Sequence, residues 1–159
     1  MQLDERGIMK FYCEKARLDD MKNVFELSND PLVRRMSTNT DKIIWEKHVT
    51  WFNKKIKDKN SEFYVVKNND NEFIGQVRFD TNNNETIVSI SLVEKYRGKK
   101  NAKNILNNCM KKSKYKIFTA YIKPENIPSI RTFASLGYEY QTDVVINNIH
   151  LKKYIYNNI

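Results

Sequence analysis

The sequence predicts an α/β fold of the α+β kind: a mixed, mostly antiparallel central sheet with one parallel strand pair and helices on both faces. Three observations predict it. Apolar spacing is helical before Lys57-Asp58-Lys59-Asn60 and changes to a period of two after it. Alternating runs then follow one another with only Asn-rich breaks between them, which reads as an antiparallel meander. The last of these runs leads through a basic turn into an amphipathic helix and a further strand, and such a crossover requires its two strands to lie parallel.

The elements follow in order. Phe11 to Ala16 reads as a first strand, and Asp19-Asp20 then caps a helix carrying Met21, Val24 and Phe25, which Pro31 closes. Thr40 or Asp41 caps a longer helix with two adjacent stripes, Ile44, His48, Trp51 and Trp45, Val49, Phe52, Ile56. Glu62 to Lys67, Phe73 to Asp80 and Glu85 to Val93 are the meander strands, with turns at 68–71 and 81–84. Ala102, Ile105, Leu106, Cys109 and Met110 place one apolar face on the next helix, and Ile117 to Lys123 is the return strand. Asn126 with Pro128 starts a short helix that Gly137 ends, and Tyr138 to Tyr156 holds one or two closing strands.

Composition sets the class. A chain of 159 residues is the size of one domain, here taken as 1–159, and can bury roughly two thirds of its unfolded surface. No run approaches the roughly 18 apolar residues of a membrane helix, and the N-terminus lacks a signal-peptide apolar region, so a cytoplasmic protein without membrane insertion is expected. The first eight residues precede any recognisable element, which leaves a translation start at Met1 or Met9 open. Cys13 and Cys109 are the only cysteines and read as small core residues. Lys and Arg outnumber Asp and Glu by 28 to 19, a net charge of +9, which favours anionic partners. The lysines are scattered and not interleaved with aromatics on one face, which disfavours nucleic acid. Nothing in the pattern sets an oligomeric state, and no metal-ligand spacing is present.

Tyr96-Arg97-Gly98-Lys99-Lys100-Asn101-Ala102 joins the third meander strand to its helix. A strand-to-helix turn presents free amides and the positive end of a helix dipole to one point, and Arg97, Lys99 and Lys100 add charge there, as a pyrophosphate site requires. A solvated basic turn in a lysine-rich chain is the alternative.

The order of elements, together with Arg97-Gly-Lys-Lys-Asn-Ala102 and Asn126-Ile-Pro-Ser129-Ile-Arg-Thr-Phe133-Ala-Ser-Leu-Gly137-Tyr138, resembles the GNAT family of N-acetyltransferases from about Phe11 to Tyr140. The resemblance implies the GNAT fold, in which the parallel strands splay apart, and acetyl-CoA as donor without a metal. It implies that Arg97, Gly98, Lys99, Lys100, Asn101 and Ala102 wrap the CoA pyrophosphate, and that Leu92 and Val93 pair with the pantetheine arm. Asn126 contacts that arm from across the splay, and Ser129 and Phe133 belong to the same cofactor-binding motif. Two positions depart from the family pattern. Lys100 stands where a glycine is usual, which is tolerable if its backbone stays right-handed. Phe133 occupies the place of a Tyr that protonates the departing thiolate, so another donor serves (Tyr121, Ser129 or Tyr138) or the thiolate leaves unaided, its thiol having an ordinary pKa near 8.5.

On the acceptor side, alternation places Ser89 and Ser91 on one face and Gln76, Arg78 and Asp80 together on the neighbouring strand; such a cluster satisfies itself or binds a polar ligand. His48 and Trp51 come from the helix that covers the acceptor cleft in this family. Glu85 and His48 are the competing general bases, with packing or an ordinary strand-end charge as the plainer reading of each. Asn29-Asp-Pro-Leu-Val-Arg-Arg35, His48-Val-Thr-Trp51-Phe and Ile74-Gly-Gln-Val-Arg-Phe-Asp80 resemble the GNAT subgroup that acetylates UDP-linked 4-amino-dideoxy sugars for surface and flagellar glycans. The expected partner is thus a small-molecule amine on a sugar nucleotide. A protein N-terminus is the alternative acceptor, and a non-catalytic CoA-sensing or nucleic-acid-binding domain the alternative of another class.

Overall fold

A computed structural model describes residues 3, 5, 7 and 10–159 of the protein. The choice between Met1 and Met9 as the start lies outside the described residues. The chain runs β1 (Phe11–Lys15), α1 (Met21–Ser28), α2 (Pro31–Met36), α3 (Trp45–Lys55), β2 (Ser61–Asn68), β3 (Phe73–Asn82), β4 (Glu85–Leu92), α4 (Asn101–Lys112), β5 (Ile117–Ile122), α5 (Ile127–Ser135), β6 (Glu139–Ile146) and β7 (Ile149–Asn157). These strands form one seven-stranded sheet in the order β1-β2-β3-β4-β5-β7-β6. Only β4 and β5 are parallel; the other neighbours are antiparallel.

Strand alternation divides the core. Tyr64, Val66, Val77, Phe79, Val88 and Phe118 face α4 and α5, where they meet Ile105, Leu106, Cys109, Met110 and Phe133. Phe63 and Val65 point the other way, onto Val24 of α1 and Phe52 of α3. Both cysteines are buried free thiols, with Sγ atoms 2.9 Å apart between β1 and α4. Among the described residues no helix is long and apolar enough to cross a membrane.

Several local expectations are corrected. Asp20 does not cap α1 through its side chain; Oδ2 accepts from Arg17 N at 2.8 Å and Oδ1 lies 3.3 Å from Lys67 Nζ, which holds a 3₁₀ turn at Leu18–Asp20. Pro31 opens a helix instead of closing one. It is the first residue of α2, and Asp30 Oδ1 caps that helix by accepting from Leu32 N at 2.9 Å and Val33 N at 3.2 Å. Neither Thr40 nor Asp41 caps α3, which starts after Ile44 with no side-chain cap. The β3 strand continues to Asn82, because Asn83 and Asn84 alone make the turn with φ of 50° and 66°, the left-handed pair that suits a two-residue hairpin.

Candidate active site

The parallel strands β4 and β5 pair at one position, Ile87 with Thr119, and separate beyond it. Which backbone groups face the opening follows from the β3–β4 ladder. Val93 N donates to Ile74 O at 2.8 Å, so Val93, Ser91 and Ser89 turn their peptide groups toward β3. The amides between them, those of Ile90 and Leu92, point toward β5 and into the fork. This corrects the expectation for Val93, whose N–H is already committed. On the Leu92 carbonyl, Arg97 Nε donates at 2.9 Å.

A 3₁₀ turn at Glu94–Tyr96 leads from β4 into the basic loop. Gly98 has φ +78° and Lys100 φ +61°, and α4 begins at Asn101 with no side-chain cap, so its first-turn N–H groups are left directed at the loop. Lys100 is therefore left-handed, contrary to the right-handed backbone expected of it, and carries the conformation for which glycine is suited. Arg97 is also corrected. Besides bonding Leu92, its Nη2 lies 3.0 Å from Asp30 Oδ1, so the guanidinium ties β4 to the start of α2. Burial alone would raise the Asp30 pKa, but the amides of Val33 and Leu32 and the Arg97 charge outweigh it and hold the carboxyl below its ordinary range. Asn101 is buried and its Nδ2 donates to Tyr96 O at 2.9 Å, while Ala102 packs on the core and Lys99 is exposed. What the loop offers an anion is backbone N–H groups and the Lys99 and Lys100 side chains.

Across the fork, Asn126 Oδ1 caps α5 by accepting from Ser129 N at 3.4 Å. Phe133 is 3% exposed and stacks edge-on against Tyr138 at 4.8 Å, so both rings belong to the core. The Tyr138 hydroxyl donates to Met110 Sδ at 3.4 Å, and burial pushes its pKa well up. As a proton donor Tyr138 is thereby excluded, since its hydroxyl is turned into the layer beneath α4 and away from the fork.

The acetyltransferase (GNAT) domain family matches residues 12–139. The chain belongs to the GNAT acetyltransferase family. No curated protein sequence matches it. Among solved structures, the spermidine N-acetyltransferase of Vibrio cholerae in complex with CoA and spermine is similar at 16% identity and a TM-score of 0.84, over 94% of this chain and 96% of that one. A domain from Methanocaldococcus jannaschii is similar at 20% identity and a TM-score of 0.77, over 93% and 98% of the two chains. At these identities the structures share the fold. As a GNAT enzyme the protein is an acetyl-CoA-dependent N-acetyltransferase, and the fork amides and uncapped α4 N-terminus are chemically suited to an amide-bearing arm and a pyrophosphate.

The face of this acetyltransferase beneath α1 and α3 continues across the fork. Arg78 Nε donates to Asp80 Oδ2 at 2.7 Å, and the guanidinium lies 5.0 Å from the Trp51 ring and 5.8 Å from Phe63. Burial works to raise the Asp80 pKa, yet the charges of Arg78 and of Lys55, 3.2 Å away, depress it. Arg78 and Asp80 thus satisfy each other, and Trp51 serves as the platform of the guanidinium. Gln76 Nε2 donates to Ser91 Oγ at 3.1 Å and its Oε1 is buried without a partner, while Ser89 is half-buried beside Arg78. Whichever way the Gln76 amide is turned, one of its two polar atoms remains unpaired.

His48 is corrected as a general base. It is 2% exposed among the rings of Phe25, Trp45, Trp51 and Phe52, and Nε2 is 2.9 Å from the Met21 carbonyl, a donor's position. Burial lowers its pKa, with that hydrogen bond opposing. The imidazole ties α3 to α1. Glu85 stands differently: the Tyr121 hydroxyl donates to its Oε1, and Lys153 Nζ is 3.7 Å from the same oxygen.

Sequence reasoning missed two features here. Lys153 of β7 pairs with Tyr121 and shares its face, and that requires the strand register, whereas Lys123, just past β5, is buried with Nζ donating to Arg35 O at 2.8 Å. A cavity of about 420 Å³ lined by Asn23, Glu26, Asp30, Glu72, Val93 and Glu94 lies at the end of β4, drawing carboxylates from sites far apart in the chain.

Proposed function

We propose that this N-acetyltransferase acetylates the amine of a nucleotide-linked 4-amino-dideoxy sugar. The observation that carries the reading is the polar sheet face at the fork: the partnerless Gln76 Oε1, Ser89 and Ser91 on one side, and the cation Lys153 on the other. A buried amide with a missing partner is costly unless a ligand supplies one, and a sugar offers hydroxyl and amide groups that can. Lys153 and the net charge of +9 suit a diphosphate. With Arg78 engaged by Asp80 and Lys123 by the Arg35 carbonyl, the anion site lies at Lys153 in this reading.

The chemistry is direct transfer. The neutral amine attacks the thioester carbonyl, the N–H of Ile90 or Leu92 stabilises the oxyanion, and Glu85 receives the amine proton. Coenzyme A leaves as a thiolate without an acid at Phe133. Cys13 and Cys109 lie in the core on the opposite sheet face, which supports a ternary complex and not an acetyl-enzyme. Asn126, Ser129 and the 97–102 loop hold the donor, with Arg97 acting by anchoring the strand end.

The cavity at the end of β4 favours a second acceptor, a polycationic amine such as the spermine bound by the Vibrio cholerae enzyme, because Glu26 and Glu94 line it beside Asp30 and Glu72, the last two already paired with Arg97 and Lys95. Competition separates the two. UDP alone should inhibit competitively against the sugar nucleotide, and Lys153→Ala should raise its KM about tenfold, the loss of one charge-assisted contact. Acetylation of spermine with no inhibition by UDP would transfer the assignment to the cavity; acetylation of peptide N-termini alone would defeat both.

A further inference from the structure

We propose that Tyr121 is a catalytic residue of this transferase, relaying the amine proton to Glu85. The inference rests on the reading that the acetyl group is transferred in the β4–β5 fork. Register gives the geometry. Ile87 and Thr119 are the last paired residues. Glu85 lies two residues before Ile87 on β4, and Tyr121 two residues after Thr119 on β5, so all four share one face. The hydrogen bond from the Tyr121 hydroxyl to Glu85 Oε1 therefore crosses this paired position, with Tyr121 on the fork side of it and Glu85 on the side before it.

Tyr121 and Glu85 are both half-buried, and Lys153 from β7 is the other charged group here, 3.7 Å from Glu85 Oε1 and 5.9 Å from the Tyr121 ring centre. Burial, then the bond to Glu85, pushes the Tyr121 pKa up to about 12, so the phenol stays protonated and its proton already points at the carboxylate. A neutral phenol next to a carboxylate has a lone pair free toward the opening. As the amine nitrogen bonds the acetyl carbon, its proton passes to Tyr121 Oη while the Tyr121 proton passes to Glu85. The C–S electron pair leaves with the coenzyme A sulfur, and Glu85 later returns its proton to that thiolate or to water. Phe133, at the place where a hydroxyl is usual, leaves Tyr121 as the hydroxyl at the fork with a proton acceptor already attached.

The test uses the full-length protein with acetyl-CoA and two acceptors, a UDP-linked 4-amino-dideoxy sugar and hydroxylamine, an amine that is already neutral at pH 7 and whose spontaneous reaction with the thioester, measured without protein, is subtracted from every rate. Tyr121→Phe and Glu85→Gln should each lower kcat for the basic amine about 100-fold with unchanged KM for acetyl-CoA. The double variant should lose no more than about twofold beyond either single one, because the pair acts as a unit. Turnover of hydroxylamine should stay within about threefold in both, since its addition product loses a proton to water unaided; a loosened fold would depress both acceptors alike. Tyr121→Phe within twofold of wild type, or an equal loss for both acceptors, overturns the relay alone. Wild-type protein that acetylates neither amine overturns the fork reading and the relay with it.

Discussion

Replacing Lys100 by Gly should stabilise the protein although it deletes a side chain from the basic loop before α4. Lys100 sits at φ +61° and ψ 11°, where an L residue with a Cβ is strained by about 1–2 kcal/mol. Glycine removes that strain but enlarges the unfolded ensemble, which returns about 0.4–1 kcal/mol. Lys100 also immediately precedes α4, where a positive charge opposes the helix dipole by about 0.3–1 kcal/mol. The sum favours Lys100→Gly by about 1 kcal/mol, or roughly 2–4 °C in Tm for a chain of this size. Urea unfolding monitored by circular dichroism, with m unchanged, measures it directly. A Tm lowered by several degrees would refute the reasoning, because it would mean that the Lys100 side chain makes a stabilising contact or that the residue is not left-handed. Gly98→Ala, at φ +78°, should move the opposite way by a similar amount.

Arg97→Ala should cost about 2 kcal/mol in urea unfolding, since it removes a charged donor from Leu92 O and strands Asp30, and Arg97→Lys should not restore it. His48→Gln should keep kcat within about threefold while lowering Tm; a 100-fold loss of kcat at intact stability would return His48 to the role of base. Asp80 has a folded pKa below its unfolded value near 3.9, so its contribution is fully present above that pH and is lost as pH falls through the lower folded value. Asp80→Asn should therefore lower stability at pH 7, and the gap to wild type should shrink below pH 3.9; a gap that is constant with pH contradicts the assignment.

The order of elements was legible because it rests on local signals. Ala102, Ile105, Leu106, Cys109 and Met110 lie on one helix face by spacing alone, and the basic turn before them marks the crossover that makes β4 and β5 parallel. What was not legible depends on distant partners or on handedness. Asp30-Pro31 reads equally as a helix stop and as a cap followed by a first turn, and only the hydrogen bonds from Leu32 and Val33 choose between them. Arg97 looks like a phosphate ligand until Asp30, far back in the sequence, is found beside it. His48 shares its helix with Trp45, Trp51 and Phe52, but Phe25 and the Met21 carbonyl that complete its surroundings come from α1. The Tyr121–Glu85 contact requires knowing where two parallel strands stop pairing, which no periodicity encodes.

The most direct test of the account is mass-spectrometric detection of product after incubating the protein with acetyl-CoA and a UDP-linked 4-amino-dideoxy sugar, alongside spermine. The account predicts an N-acetylated sugar nucleotide formed in step with released coenzyme A thiol, and unmodified spermine. Acetylspermine with an unchanged sugar nucleotide would contradict it.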